Sequence, residues 1–469
     1  MTINLKKRIE QIYGKHYPEL KKTINRYEGL IKQFKKVYPK AGRFSIYRAP
    51  GRINIIGEHT DYNGMPVFPM TIDKDIVIIA APRKDNEVIY KNVDSKNFQD
   101  RNFIIEKTIH PYTTGDWGNY LKAAVQLVVD SKPKNKYTGY NAMISGNVPS
   151  NSGVSSSSAL IVANAVAFAD INRIKFKGLE FAKILADGEW YVGTQGGGMD
   201  QTISLLGNRG KALKIDFYPM EVESIPVPEE MIFVACNSMV SAPKSGHARQ
   251  SYNMRVFECR LGVLMLNKYI TEKFGTQYAI TKLGDLRFKK FEKITNKIEE
   301  IINKVFQKET CTEVEIAQSL ELTVEELRAK HLKLKNGEPF RSDDGYYKIK
   351  SRCRHVLLEW KRVEESTKAF KKCDMAKLGE LMNQSHLSLD MDYEVSCPEL
   401  NEMVKIAGNN GAFGSRLTGA GFGGCTINLV TKRTRTKFIK AIKKLYYNKR
   451  KLKPQIFEVY PTEHAGKVI

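Results

Sequence analysis

The chain has 469 residues, 42% of them hydrophobic and 27% charged, and a formal charge of 75 − 51 = +24. Such a composition excludes wholesale disorder, collagen and coiled coil, and the length predicts two to four units with a core that needs no disulfide staples. The charge favours anionic partners, but the lysines and arginines are scattered rather than gathered into a stripe, so a solvated basic surface is expected and nucleic-acid binding is not.

Residues 1–40 carry apolar positions Leu20, Ile24, Leu30, Ile31 and Phe34 at helical spacing, which predicts one or two amphipathic helices. In RFSIYRAPGRINIIGEH the segments FSIYR and RINII alternate like two strands around a Pro-Gly break. IDKDIVIIAAPRK and NEVIYKNVD continue the strand pattern, and 119–130 has helical spacing. YNAMISG reads as a strand, NVPSNSGVSSSS as a loop and ALIVANAVAFADINR as a helix. A second helix, LEFAKILADGEWYVG, leads into the turn GTQGGGMDQ, and KALKIDF and MIFVACNS are strands. From about 250 to 400 the chain is helical and charged, with a capping box at Thr323 and Glu326. The end reads as strand, helix, strand (CTINLV, TKFIKAIKKLYY, IFEVYPTE), consistent with a ferredoxin-like half. A domain boundary is expected near residue 225.

The seven cysteines are odd in number and include no C-x-x-C pair, so neither a disulfide framework nor a zinc site is predicted and a reducing compartment fits. The N-terminus lacks the apolar core of a signal peptide. The uncharged stretch 137–169 is mainly apolar only from Ala159, too short for a bilayer. A cytoplasmic protein without a membrane partner is expected.

Four loops carry chemistry. PGRINIIGEHTDYNG packs Arg52, Glu58, His59 and Asp61 beside two glycines, and ionised carboxylates so close suit hydrogen bonding to sugar hydroxyls. The alternative is a polar hairpin whose charges face water. PSNSGVSSSSAL places amides and hydroxyls at a helix start, an anion site without the lysine of a Walker A loop. GTQGGGMDQ presents Asp200 after three glycines, as a candidate base or as an ordinary solvated turn residue. SRLTGAGFGGC has four glycines before a strand and is uninformative alone. Tyr120, Phe168, Trp190 and Tyr191 are expected in the core, His386 as a satisfied helix residue, and Trp117 either stacked on a base or plugging the core.

Together these loops resemble the GHMP small-molecule kinases and, within that superfamily, the galactokinases. GRINIIGEHTDYNG resembles the galactokinase signature. PSNSGVSSSSAL resembles the ATP-binding motif, with Val154 where leucine is usual, and SRLTGAGFGGC resembles the third motif. GGGMDQ, YNMRVFECR, LMNQSH and DYEVSCPEL match in order, and the likeness spans roughly residues 40–465.

The resemblance implies an α+β fold in two halves. A ribosomal-S5-like N-terminal domain, 1–225, would carry the sugar signature, the serine-rich loop and the catalytic aspartate. A ferredoxin-like C-terminal domain with helical additions, 226–469, would carry the third motif, and the active site would lie between them. It implies ATP, Mg²⁺ and a small-molecule sugar as partners, and transfer of the γ-phosphoryl group to the anomeric C1 hydroxyl of galactose.

By matching position, Asp200 resembles the aspartate that accepts the hydroxyl proton and Arg52 the arginine that holds it ionised. Glu58, His59, Asp61, Gly197 and Tyr252 match sugar contacts, and Trp117 matches a residue that lines the adenine pocket. Gly153, Ser155 and Ser156 match phosphate contacts, while Ser157 and Glu189 match Mg²⁺ ligands. The serine run leaves that frame open by one, so Ser158 stands beside Ser157. N-acetylgalactosamine kinases are the near alternative: GTQGGGMDQ and NMRVFECRL look like that branch, whereas Asp61 in HTDYN and Tyr252 have the galactokinase form. A non-catalytic galactose sensor would lose residues of the serine-rich motif, and Ser157, Ser158, Ala159 and Asp200 are all present. A monomer is expected.

Overall fold

Strand Ser45–Asn54 sits near the edge of a six-stranded sheet whose spatial order is Gly466–Lys467, Ser45–Asn54, Pro69–Pro82, Tyr140–Gly146, Glu87–Asn92, Arg101–Ile104. The computed structural model describes residues 2–134, 136–193, 196–241, 247–334 and 337–469, without the side chains of Thr2, Ile3, Glu189, Trp190, His247 and Ala248. Neighbouring strands are antiparallel except Glu87–Asn92 and Tyr140–Gly146, which the chain joins by crossing over through helix Gly118–Ser131.

Strand Pro69–Pro82 is apolar on both sides because both of its faces are covered. Ile76, Ile78 and Ala80 point into a core shared with helices Gly118–Ser131 and Ser156–Ile171. Val77, Ile79 and Ala81, on the alternate positions, pack under helices Thr2–Tyr13 and Leu20–Val37. Helix Ser156–Ile171 is apolar nearly all round, as a helix enclosed by its neighbours must be. Under the two N-terminal helices, Asp75 is fully buried and is reached by Arg26, Tyr13 and the Nε of Arg48, the last at 2.9 Å.

The two strands expected on either side of the Pro-Gly break are one. Strand Ser45–Asn54 runs through the break, and its register against Pro69–Pro82 shifts between Pro50 and Arg52. This bulge turns the backbone locally and re-aims the side chain that follows.

The second sheet has the order Gly414–Leu417, Cys425–Val430, Ile232–Asn237, Ile456–Glu458, all antiparallel. With helices Pro398–Asn409 and Lys432–Ile442 on one face, its connectivity is ferredoxin-like. The chain enters this sheet after strand Met220–Pro226, and its last residues return to the first sheet, where the Val468 amide meets the Ile46 carbonyl at 2.7 Å. Helices His247–Phe274 and Ile349–Lys371, with Leu389 of helix Met375–Met391, share a separate core. The capping box is formed, with Glu326 N–H donating to Thr323 Oγ1 at 3.1 Å and Thr323 N–H to Glu326 at 2.9 Å. Among the described residues no helix is long and apolar enough to cross a membrane.

Candidate active site

A cleft of about 1580 Å³ opens where the four glycine-rich or polar loops meet. The contact is backbone on backbone. Gly153, at φ +75°, lies so close to Thr418 and Gly419 that a Cβ on it would strike the Thr418 carbonyl, and a Cβ on Gly419 would strike Gly153 in return. The serine-rich loop of the first half and the SRLTGAGFGGC loop of the second thus cross at two glycines because only glycine fits there. The Cys425 amide donates to the Ser152 carbonyl at 3.0 Å and continues the seam.

Asp200 stands at the centre, in the first turn of helix Met199–Leu206, where the helix dipole favours an anion. Arg52 grips it through two parallel bonds, Nε to Oδ1 at 2.7 Å and Nη2 to Oδ2 at 3.1 Å. The bulge at Pro50–Arg52 aims that guanidinium, whose backbone amide is also tied to the Val154 carbonyl at 3.2 Å. Ser155 and Ser158 both donate to Asp200 Oδ2, Ser158 at 3.3 Å. These donors fit an acceptor-only, ionised carboxylate. Ser155 holds φ +67° at the start of helix Ser156–Ile171, yet its hydroxyl caps no helix amide and turns to Asp200 instead. A non-glycine residue in that region costs roughly 1–3 kcal/mol and is kept where the surroundings over-determine it.

At one end of the cleft lies the 57–64 loop. Glu58 is 1% exposed, and its carboxylate receives Asn54 Nδ2, Arg416 Nη1 at 2.8 Å, Thr418 Oγ1 at 3.1 Å and the Gly419 amide at 2.6 Å. Burial pushes this carboxyl above its usual range, against the pull of Arg416, Arg52 and the Gly419 amide. Burial holds His59 down to about 3, so its ring is neutral. Its Nε2 faces the Ala420 carbonyl at 3.1 Å and therefore carries the proton, leaving Nδ1 to accept from the Tyr62 hydroxyl at 2.9 Å. Tyr62 in turn meets Tyr393 at 2.8 Å. Tyr252, on helix His247–Phe274, packs its ring 5.4 Å from that of His59. Asp61 lines the cleft and accepts the Met199 amide at 3.3 Å. Gly197 lies against the backbone of Asp61 and Tyr62, where a Cβ has no room.

The other end is bounded by Trp117, Ser156 and Ser157. Trp117 packs edge-on against Phe98 at 5.7 Å, and its buried indole N–H has no protein acceptor. Ser157 faces the cleft, whereas Ser158 is fully buried behind Asp200. The side chain of Glu189 lies outside the described residues, as does that of Trp190. Phe168 is fully buried as expected, but Tyr120 and Tyr191 also line the cleft. His386 is a satisfied helix residue, its Nδ1 accepting the Leu417 amide at 3.4 Å. All seven cysteines are free thiols, and burial pushes Cys259 and Cys425 up to about 12. No group of three or more potential metal-ligating side chains occurs among the described residues.

Sequence reasoning did not single out Arg416, Tyr62, Tyr393 or Arg249. The first three lie inside quoted motifs, but an arginine or tyrosine there looks like a surface residue until the loops are brought together. Arg249 lies one turn before Tyr252 on the same helix, a spacing that could have marked it.

Residues 32–82 match the galactokinase galactose-binding signature, 119–208 the GHMP kinases N-terminal domain and 366–448 the GHMP kinases C-terminal family. A galactokinase of Dictyostelium discoideum is 33% identical over 464 residues, covering 92% of this chain and 90% of that one. A Candida albicans galactokinase is 31% identical over 474 residues, covering 91% and 90%. The structure of Lactococcus lactis galactokinase complexed with galactose superposes with a TM-score of 0.75 at 25% identity, covering 94% of this chain and 99% of that one. A mevalonate kinase from Methanococcus jannaschii, 18% identical with a TM-score of 0.54, shares the fold.

Proposed function

Since the chain belongs to the galactokinase family of the GHMP kinases, we propose that its cleft transfers the γ-phosphoryl group of ATP to the C1 hydroxyl of galactose, with Asp200 and Arg52 at the point of transfer. The observation that carries this reading is the bidentate Arg52–Asp200 pair between the 57–64 loop and the serine-rich loop.

Galactose sits at the 57–64 end. Asp61 accepts hydrogen bonds from its hydroxyls, neutral His59 lines the same wall, and Gly197 lets the sugar and the Asp61 backbone share the space. Tyr252 closes the pocket against the His59 ring. Glu58 enters as the anchor of this loop, because four donors already occupy its carboxylate. Asp200 takes the proton of the C1 hydroxyl as the anomeric oxygen attacks phosphorus in line, and the bond from the γ-phosphorus to its bridging oxygen breaks to leave ADP. Arg52 orients Asp200 and offsets charge on the transferred group. Ser155 and Ser158 hold the carboxylate in place.

ATP lies across the serine-rich loop, with its phosphates on the amides of 153–156 and the helix N-terminus. Its base sits at Trp117, whose unpartnered indole N–H supplies a donor. The Ser157 hydroxyl fits the oxygen chemistry a hard dication takes, so Ser157, with Glu189, would hold Mg²⁺. That ion supplies charge neutralisation on the phosphates when bound. The setting is cytoplasmic. Phosphorus NMR of the product formed from ATP with galactose, and separately with N-acetylgalactosamine, tests the reading. A phosphate coupled to the anomeric proton of galactose is expected, and no product from galactose would overturn it.

A further inference from the structure

Behind the 57–64 loop, two side chains of helix Ile349–Lys371 hold its backbone. Glu359 Oε1 accepts the Gly57 amide at 3.0 Å, and His355, four residues earlier, meets the Glu58 carbonyl through Nε2 at 3.2 Å. Residues four apart on a helix share one face, so one helix face takes hold of the Gly57–Glu58 dipeptide at both its outer ends. Both side chains are fully buried and neither lines the cleft.

Each is itself fixed from behind. Glu359 also receives Ser385 Oγ at 2.5 Å and Arg362 Nε at 2.6 Å, and Arg416 Nη2 lies 4.0 Å away. His355 Nδ1 meets Ser388 Oγ at 2.9 Å, which lies 2.9 Å from Asp392. The loop they hold continues at once into His59, which sits at φ +62°. A residue in that left-handed region depends on its neighbours being pinned.

We propose that Glu359 and His355 are positioning residues for sugar recognition: they set the path of the 57–61 backbone from the far side, and thereby the placement of His59 and Asp61 toward the sugar. This rests on the reading that the loop receives galactose. It separates two tasks that the loop's own side chains do not show. Arg416 and the Gly419 amide saturate Glu58 from the side of the second sheet, while the helix face fixes the main chain. A buried carboxylate among arginines, rather than an apolar side chain, gives a directional acceptor for one particular amide.

The test uses Glu359→Leu and His355→Leu in the full chain, which remove the acceptor for the Gly57 amide and the donor to the Glu58 carbonyl. KM for galactose and for ATP is measured with the other substrate saturating, and galactose affinity by calorimetry. Loss of one such hydrogen bond predicts a galactose KM and Kd raised about three- to tenfold in each variant, with the ATP KM within twofold of the parent. Restoring the carboxylate on a shorter stem, as Glu359→Asp, should recover part of the galactose affinity. A purely structural role would move both substrates' constants together with the melting temperature, and that result, or an unchanged galactose KM, overturns the proposal. Should both leucine variants fail to fold, Ser385→Ala loosens Glu359 more gently, and an unchanged galactose KM there is equally fatal. A parent enzyme that does not phosphorylate galactose would instead sink the functional reading itself.

Discussion

Asp61 and Glu58 lie three residues apart, yet the structure gives them different work. Glu58 is filled by protein donors, whereas Asp61 stands in the cleft wall, with the Met199 amide 3.3 Å from one oxygen. Asp61→Ala should therefore weaken galactose binding by about 1.5–3 kcal/mol, the range for hydrogen bonds to a charged group. ATP affinity should hold, since the nucleotide end is built from 117 and 153–157. Calorimetric titration of each ligand checks this, and galactose affinity equal to the parent's would place the sugar elsewhere. At this scale the sequence named the polar residues at the centre of the cleft but not their partners. Glu58, His59 and Asp61 look alike as polar members of one motif. What separates them is Arg416, more than 350 residues later, and no local pattern announces that contact.

At the scale of elements, the strand-loop-helix unit around 140–171 was legible because its apolar spacing switches from a strand to a helix across a polar loop. The bulge in strand Ser45–Asn54 was not, since a Pro-Gly pair signals a break unless the partner strand is known to span it. The role of the N-terminal helices was equally hidden. Their amphipathic pattern predicted that they pack, but not that Arg26 and Tyr13 converge with Arg48 on Asp75. Asp75 also accepts the Asn147 amide on its carbonyl at 3.1 Å and gives its own amide to Asn147 Oδ1 at 2.7 Å, at the entry to the serine-rich loop. Burial alone would raise this carboxyl, but Arg26 and Arg48 carry it down to about 2. Asp75→Asn leaves two guanidiniums short of their counter-charge and should cost about 3–5 kcal/mol of stability, as breaking a buried pair does. Urea unfolding is the measurement, and a loss below 1 kcal/mol would show that the cluster is incidental.

Across the whole molecule, three buried histidines set the main response to acid, opposed by Glu58, whose raised carboxyl binds a proton more readily in the folded chain than in the unfolded one. Burial holds His59 down to about 3 and His355 and His386 to about 4, against an unfolded value of about 6.5. Below pH 6.5 the unfolded chain binds protons that the folded chain refuses. Stability is therefore complete above that pH and falls as pH drops toward 4, by up to about 1.4 kcal/mol per pH unit for each histidine. Asp75 and Glu359, both carried down to about 2 when folded, add a second loss between about pH 4 and 2, because a depressed carboxyl stabilises only while ionised. Denaturant midpoints at pH 7.5, 6 and 5 should fall in that order, and a flat series would contradict the burial of these histidines.

The two halves meet at the cleft, where a carboxylate from one loop, an arginine aimed by a bulge and the hydroxyls of a serine-rich helix start come together. The claim that this assembly is the point of phosphoryl transfer is tested most directly by Asp200→Asn. Turnover with galactose and ATP should fall by at least about 10²-fold, the scale of a lost acid–base group, while calorimetry shows ATP and galactose still bound within a few-fold of the parent. Turnover within tenfold of the parent would contradict the account.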